Sequence, residues 1–466
     1  MQIPILSGIY TDGAADYRTS YPVNLIPVPK ETGISAGYLR HSDGIVQHCD
    51  GPGVDRGGII WDGGHYRVMG TKLVRINSAG APTVLGDVGS GGWVTMDYGF
   101  GRLAIASGGR LYYWDGSALQ LVTDPDLGVV KSLVWGDGYY LTTDGEYIIQ
   151  TELTDPTSVN PLKYGSSEAD PDGVIALRKV RRELHVLNRH TTEVYQNIGG
   201  DFFAWQPIPG AQIQRGCVGA NACAVYMDSV AFVGGGRNEP PGVYIAQNGS
   251  SAKLSTREID TLLLELSDDE LAAIVLETRV DKAHNQLLVH LPDRCVVYDS
   301  AASQALETPV WHVLSSAVAG FAEYRAKGLV YANGKWLAGD PTSSKVGQLV
   351  GSTGTHYGQP VGWEFGTSIV YNGGQGAIVH SLELVALTGR VDIGVDPTIW
   401  TSHSDDGMSW GQERPIKAGM VGDRTKRLQW RTLGQLRNVR MQKFRGTSDA
   451  RLSFSRLEAN FEALQA

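Results

Sequence analysis

Three stretches of the chain hold side chains of the types and spacing that metal or phosphate chemistry uses. In "EADPDGV", Glu168, Asp170 and Asp172 set carboxylates at alternate positions, a pattern that offers oxygens to calcium. The other ligands of a loop site are missing, so a solvated Asp-Gly turn leading into "VIAL" is expected instead. His185 and His190 offer two imidazoles to zinc from facing strands, but no third ligand stands near them. The stretch "RTKRLQWRTLGQLRNVRMQKFR" gathers Arg424, Lys426, Arg427, Arg431, Arg437, Arg440, Lys443 and Arg445. Alternation with Leu428, Trp430, Leu436 and Val439 places these cations on solvent faces of strands. A sharper expectation is a partner-docking surface for an acidic protein, carried by Arg427, Arg431, Arg437 and Arg440, ahead of a site for DNA phosphate.

A fourth stretch, "SHSDDGMSWG" at 402–411, is similar to the Asp-box turn of sialidase propellers through Asp405, Gly407, Ser409 and Trp410. His403 stands where that pattern has Ser or Thr, the motif occurs once, and the box is a folding element. A hairpin turn capped by Asp405 is therefore expected. A glycosidase also needs two carboxylates flanking a pocket, and no such pair is placed by the sequence. There is no phosphate-cradling Gly-x-x-x-x-Gly-Lys, nucleophile elbow or helical His-Glu metal motif. No catalytic, cofactor-binding or metal residue is assigned, and a binding or structural protein without a cofactor is expected. A carbohydrate-binding or sialidase-like propeller is the alternative, and a cellular scaffold propeller the third reading.

The elements that must position these residues are short hairpins. "GGHYRVMGTKLVRI" sets Tyr66 and Val68 against Leu73 and Arg75 across a turn at Gly70-Thr71, with the period-two alternation of a hairpin. The plan recurs in "GRLAIASGGRLYYW", "GYYLTTDGEYII", "RELHVLNRHTTEVY", the strands around Gly234-Gly235-Gly236, "QLLVHLPDRCVVYD" and "GLVYANGKWLAGD". Turns at Gly70, Gly108, Gly145, His190, Gly235, Asp293 and Gly334 are 38, 37, 45, 45, 58 and 41 residues apart. That is the period of a propeller blade. Seven blades are expected, or six if the first or last hairpin is shared.

The long spacing has a cause in "STREIDTLLLELSDDELAAIVLE", 255–277, which opens with capping boxes Ser255 to Glu258 and Ser267 to Glu270. Ile259, Leu262, Leu263 and Leu266 fall on one helical face, and Leu271, Ile274 and Val275 make a second apolar stripe. Two helices outside the blades, packed on the propeller side, are expected. Past residue 350 the period is lost. A glycine-rich connector, 351–362, leads into "SLELVAL", "RVDIGV", "TIWTSHS", "RLQWRTL", "VRMQKFR" and "RLSFSRLEANFE", which read as a β-sandwich. Residues 1–50 read as an extended arm. The expected organisation is an arm over 1–50, a β-propeller over 51–350 with its helical insertion, and a β-sandwich over 351–466, all-β apart from the insertion.

The 59 glycines suit many tight turns, and 40 basic against 49 acidic side chains give a net charge of −9, which disfavours general nucleic-acid binding. Cys49, Cys217, Cys223 and Cys295 are scattered, with no Cys-x-x-Cys pair, and read as buried free thiols. No run of apolar residues approaches membrane-spanning length and no basic leader precedes an apolar run, so a soluble chain not secreted by the usual route is expected.

The stretches "YPVNLIPVPKE", "SAGYLR", "GVDRGGI", "YRVMGTKLVRI", "DGVIAL", "LLVHLPDRCVVYD" and "DDGMSWGQERPI" lie in this order along the chain. Together they resemble the packaged-DNA stabilisation proteins of short-tailed, podovirus-type phages, the tail hub or head-closure factors. The resemblance implies a non-enzymatic virion protein, made in the host cytoplasm and assembled as a homo-hexamer at the DNA-exit vertex. It implies docking below the portal and its adaptor ring, a seat for the tail needle, and tailspikes at the flank. DNA would pass through the channel without sequence-specific binding.

Overall fold

The computed structural model describes residues 1–6, 8–11, 17–30, 35–99, 101–447 and 451–464. The repeated hairpins belong to seven antiparallel sheets that follow one another along the chain. In the first blade, Asp55–Trp61, Gly64–Met69, Lys72–Ile76 and Pro82–Asp87 pair in sequence order, with Tyr66 opposite Arg75 and Val68 opposite Leu73. The turn between the middle strands works because Gly70 takes φ 61°, a left-handed value that costs glycine little.

Blades two, three and four begin at Thr95–Gly99, Ser132–Gly136 and Val174–Val180 and end at Leu119–Leu121, Val159–Ser166 and Trp205–Pro207. The inner strand of blade five is split into Gly216–Cys217 and Cys223–Tyr226, both paired to Ser229–Gly235. Its close approach requires glycine, since a Cβ on Gly234 would lie 1.8 Å from the carbonyl oxygen of Gly216. Blade six runs from Val275–Asp281 to Trp311–Leu314.

Blade seven departs from the reading of its sequence in two ways. The hairpin turning at Asn333-Gly334 joins its first and second strands, Lys327–Ala332 and Lys335–Gly339, whereas the other six hairpins join second and third. Its fourth strand comes from the other end of the chain: Gly44–Asp50 pairs with Lys345–Val350, placing Ile45 opposite Leu349 and Cys49 opposite Val346. The ring of blades is thus closed by a strand from residues read as an arm. An open outer edge on blade seven is removed by the same pairing.

The rest of that stretch also differs from an arm. Leu25–Pro29 and Gly37–His41 form a hairpin that joins the C-terminal strand Ser453–Ala463, and Gln2–Ile3 pairs with the same strand. An isolated hairpin at Gly8–Thr11 and Tyr17–Ser20 lies between them. Proline-rich composition suggested extension, but Pro27 and Pro29 sit in a two-strand pairing that tolerates lost donors at a sheet edge. The chain therefore begins in the sandwich, closes the propeller, runs once around it and returns.

The sandwich packs that sheet, completed by Ala377–Ala386 and Leu428–Arg431, against a second one. The second is ordered Gly362–Gly366, Val439–Thr447, Thr398–Ser404 and Arg414–Lys417. Trp363, Phe365, Phe444 and Phe454 fill the space between, with the Phe365 and Phe444 rings stacked at 5.2 Å and the Phe365 and Phe454 rings tilted at 5.3 Å. "RVDIGV" is not a strand: Val395 N–H bonds back to Asp392 O at 3.1 Å, with Gly394 at φ 89°. Ile393 consequently points to solvent.

The insertion is helical as expected, with α1 at Arg257–Leu264 and α2 at Asp268–Ala272, while Val275 onwards is already the inner strand of blade six. Ile259, Leu263, Leu271 and Ile274 are buried in the core shared by blades five and six. Ser267 and Glu270 form a complete capping box. Ser255 and Glu258 do not. Thr256 is the N-cap of α1, Ser255 bonds Asp260 and Val243, and Glu258 accepts from Thr19 N–H of the N-terminal hairpin at 3.0 Å. A third helix, α3 at Ser300–Leu306, follows Asp299, whose carboxylate caps it.

Candidate functional site

The inner strands of all seven blades surround a central canal of about 590 Å³. Polar residues lining it and packed behind it hold neighbouring blades together. Arg56 of blade one donates to Ser107 Oγ of blade two at 2.8 Å. The Asp97 carboxylate of blade two accepts from Trp135 N–H of blade three at 2.6 Å, and burial raises its pKa. Ser132 Oγ of blade three accepts from Leu177 N–H of blade four at 3.1 Å. Arg178 of blade four spans to the carbonyls of Ala220 and Cys223 in blade five at 3.0 and 3.1 Å.

Asn221 O, in blade five, takes Leu276 N–H of blade six at 2.8 Å, and Glu277 of blade six takes Leu329 N–H of blade seven at 3.0 Å. Burial works to raise the Glu277 carboxyl, but the hydrogen bond and charge of His290 hold it below the usual range. Arg67 closes the circle. It is bidentate on Asp55 at 2.6 and 2.7 Å and donates to Gly328 O of blade seven at 2.8 Å, fully buried. Charged groups used in this way hold the blades together and are not gathered around one point where a substrate could react. Nothing in the sequence marked these residues as clamps, because most of the bonds between blades end on backbone groups.

The other candidates are not gathered into a metal or catalytic site. Asp172 accepts from His190 N–H, Thr191 N–H and Thr191 Oγ1, Asp170 from Arg237, and Glu168 from Ser166 Oγ. His185 is buried and its pKa is lowered to about 4 by desolvation. No group of three metal-ligating side chains occurs among the described residues. The turn after Thr398–Ser404 is capped by Asp406, not Asp405: its carboxylate accepts from Met408 N–H at 2.8 Å and Ser409 N–H at 2.7 Å, while Ser404 Oγ accepts from Gly407 N–H. The four cysteines are free and buried.

The basic stretch is divided between the two sheets of the sandwich, so its cations do not share one face. Arg427 is exposed and bidentate on Glu383, with Nε 2.7 Å from Oε1 and Nη2 on Oε2. Arg431 is exposed and bonds Gln429, and Arg437 is exposed in the turn before Val439–Thr447. Arg440 lies inside, 3% exposed, and donates to Leu433 O at 2.9 Å and to Gln442 Oε1 at 3.3 Å. Burial lowers its pKa to about 10. It belongs to the fold of the sandwich and cannot line a docking surface. Lys443 lies over the Trp410 ring and Arg445 pairs with Glu413 at 2.5 Å.

One buried side chain joins the two domains. Asn24, at φ 53°, donates from Nδ2 to Ser315 O at 2.9 Å beside blade six and to Gly362 O at 2.6 Å in the sandwich. Its Oδ1 accepts from Ser315 N–H at 3.0 Å, and its own N–H bonds Val313 O at 2.8 Å. Beside this joint a groove of about 370 Å³ runs between α1, the N-terminal hairpin and the second sandwich sheet. No helix among the described residues is long and apolar enough to cross a membrane.

Two family models match the chain in order. The one described as Bacteriophage P22 Gp10, beta-propeller, covers residues 1–354, and the one described as Bacteriophage P22 Gp10, beta-sandwich, covers 362–462. The tail hub protein gp10 of Salmonella phage P22 is 28% identical over 462 residues, which is 94% of this chain and 94% of that protein. Among solved structures, the N-terminal domain of Nup159 is 11% identical over 69% of this chain and 97% of its own, with a TM-score of 0.43. The WD40 domain of Neurospora crassa Pan2 is 9% identical over 66% of this chain and 96% of its own, also at 0.43. With its seven-bladed propeller and the sandwich that follows it, the chain belongs to the phage-stabilisation family of bacteriophage P22 Gp10.

Proposed function

We propose that this chain is a structural subunit of a phage tail hub, working in the virion tail after synthesis in the host cytoplasm. The observation that carries the reading is the match to the P22 tail hub protein, which runs through both domains over 94% of each chain. Six copies form a ring that closes the portal and adaptor channel once DNA is packaged, retains the genome, and docks the tail needle and tailspikes. The role is non-enzymatic. Buried charges that bridge blades make a rigid body, and rigid rims suit a part that several partners must dock on together.

Among the residues first considered for docking, Arg427, Arg431 and Arg437 keep that role because they are exposed, and Arg440 does not. A chain of net charge −9 favours letting DNA slide past over gripping it. The test is a phage lacking this chain. Its particles are expected to package DNA and then lose it, leaving heads that are empty and sensitive to nuclease. Heads that hold their genome without the chain would contradict the reading.

A further inference from the structure

A ring is closed by heterologous contacts, so each subunit of the proposed hub needs two different surfaces, one for each neighbour. Most apolar side chains that reach the surface of this chain stand singly, which is ordinary. Phe321 is covered by the Arg294 guanidinium, 3.6 Å from its ring centroid. Two groups differ.

The first lies at the outer edge of blade three, where Val159–Ser166 has no strand neighbour on its outer side. Leu162 is 71% exposed and Tyr164 50%. The loop against the same blade carries Phe202, 70% exposed, whose carbonyl accepts from Gln150 Nε2 at 3.2 Å. Lys163 is taken by Glu152 at 3.0 Å, while exposed Asp201 and Glu168 have no cation partner among the described residues.

The second is the tip of the sandwich, where loops 387–397 and 417–426 are tied by Gly422 N–H to Gly389 O at 3.1 Å and Thr388 Oγ1 to Asp423 O at 2.8 Å. Ile393 is 92% exposed, and Met420 and Val421 are 53% and 52% exposed. Asp396 faces Lys417 Nζ at 3.7 Å and Asp423 accepts from Met420 N–H at 3.1 Å. Arg390, Arg424 and Lys426 are exposed and have no carboxylate partner among the described residues, which leaves free cations in excess over Asp392 and Asp423.

We infer that the sandwich tip of one copy seats on the outer edge of blade three of the next copy. Ile393, Met420 and Val421 would cover Leu162, Tyr164 and Phe202, with Arg424 and Lys426 facing Asp201 and Glu168. The occupant is a second copy of this chain because the two patches are apolar at the centre and opposite in free charge at the border, as the two sides of one interface should be. A two-fold contact centred on either patch would set that patch on itself and bring like charges together. The inference rests on the hub-ring reading.

The experiment mixes full-length chain labelled with nitrogen-15 and unlabelled full-length chain, assembles them on the portal and adaptor complex, and applies an amine-reactive cross-linker. Mixed-isotope links joining Lys163 to Lys417 or Lys426 are expected. A six-copy ring whose mixed-isotope links join only other lysines would overturn this interface and leave the ring standing. Failure to form six-copy assemblies would sink the ring reading and the interface with it. Leu162→Arg with Phe202→Arg changes only exposed positions, and should lower the yield of rings at least ~10-fold by setting like charges against Arg424 and Lys426 at the contact. Rings formed at the normal yield by this folded variant would also overturn it.

Discussion

The two domains are held together by different physics. The propeller is a circle of apolar cores shared between neighbouring blades and stitched by charged and polar clamps, from Arg56 on Ser107 round to Arg67 on Gly328 O. The sandwich has one aromatic core, in which Trp363, Phe365, Phe444 and Phe454 touch in a single cluster. A clamp between blades is sensitive to charge and pH, because a buried polar group that loses its partner is left without water to replace it. An aromatic core is sensitive to volume and indifferent to pH. The N-terminal segment belongs to both, which makes it the part whose loss should cost most.

Removing residues 1–50 deletes three strands of the sandwich and the outer strand of blade seven, so both domains should fail together. Circular dichroism is expected to show no cooperative thermal transition in that variant. A sharp transition would mean that one domain closes without the segment. The comparison between domains is sharpened by single substitutions. Asp55→Asn leaves the fully buried Arg67 without its charge partner and should cost the propeller about 3–5 kcal/mol. Phe454→Ala should cost the sandwich about 3–5 kcal/mol by opening a cavity. Chemical denaturation with Trp135 and Trp363 as local probes would read the two effects separately.

Acid should weaken the propeller first. His185 has its pKa lowered to about 4, and His312 and His356 to about 3, each chiefly by burial, while the sandwich strand Gly37–His41 carries one such group, His41, also at about 4. The unfolded chain takes up these protons near pH 6.5 and the folded one only near pH 3–4. More protons are therefore bound by the unfolded state across that window, and stability is full above about pH 6.5 and falls as the pH drops. The slope is at most about 1.4 kcal/mol per pH unit for each histidine. Denaturation midpoints at pH 7 and pH 5 should move apart for the propeller and stay closer for the sandwich. Equal movement would break the comparison.

The smallest effects separate the arginines. Arg440→Ser removes buried hydrogen bonds from a charged donor and should destabilise the sandwich by about 1.5–3 kcal/mol. Arg427→Ser removes an exposed, solvent-screened ion pair and should leave the thermal transition almost unmoved while weakening partner docking. Thermal shifts of the two variants, beside their assembly yields, test the division.

The same contrast explains what could be read in advance. A blade is local: its strands alternate with period two, its turns carry glycine, and its partners are close in sequence, so the hairpins around Gly70 or Gly145 were visible. Pairings such as Gln2 with Glu458, or Cys49 with Val346, join residues hundreds apart and leave no local pattern. "RVDIGV" alternates like a strand but has no neighbour to pair with. Helix α3 is too short to show a periodic face. Arg440 illustrates an error of phase: it shares parity with Gln442 and Phe444, and Phe444 faces inward, so the solvent face belonged to the other residues. The charged clamps of the canal were invisible because their partners are mostly backbone atoms of another blade.

The central claim, that this chain is a hub-ring subunit, is tested most directly by mass measurement of the purified full-length chain with and without the portal and adaptor complex. Six added copies per complex are predicted, with the free chain monomeric because weak contacts between copies add up only in a closed ring. A stable dimer in both samples, or no mass added to the complex, would contradict the account.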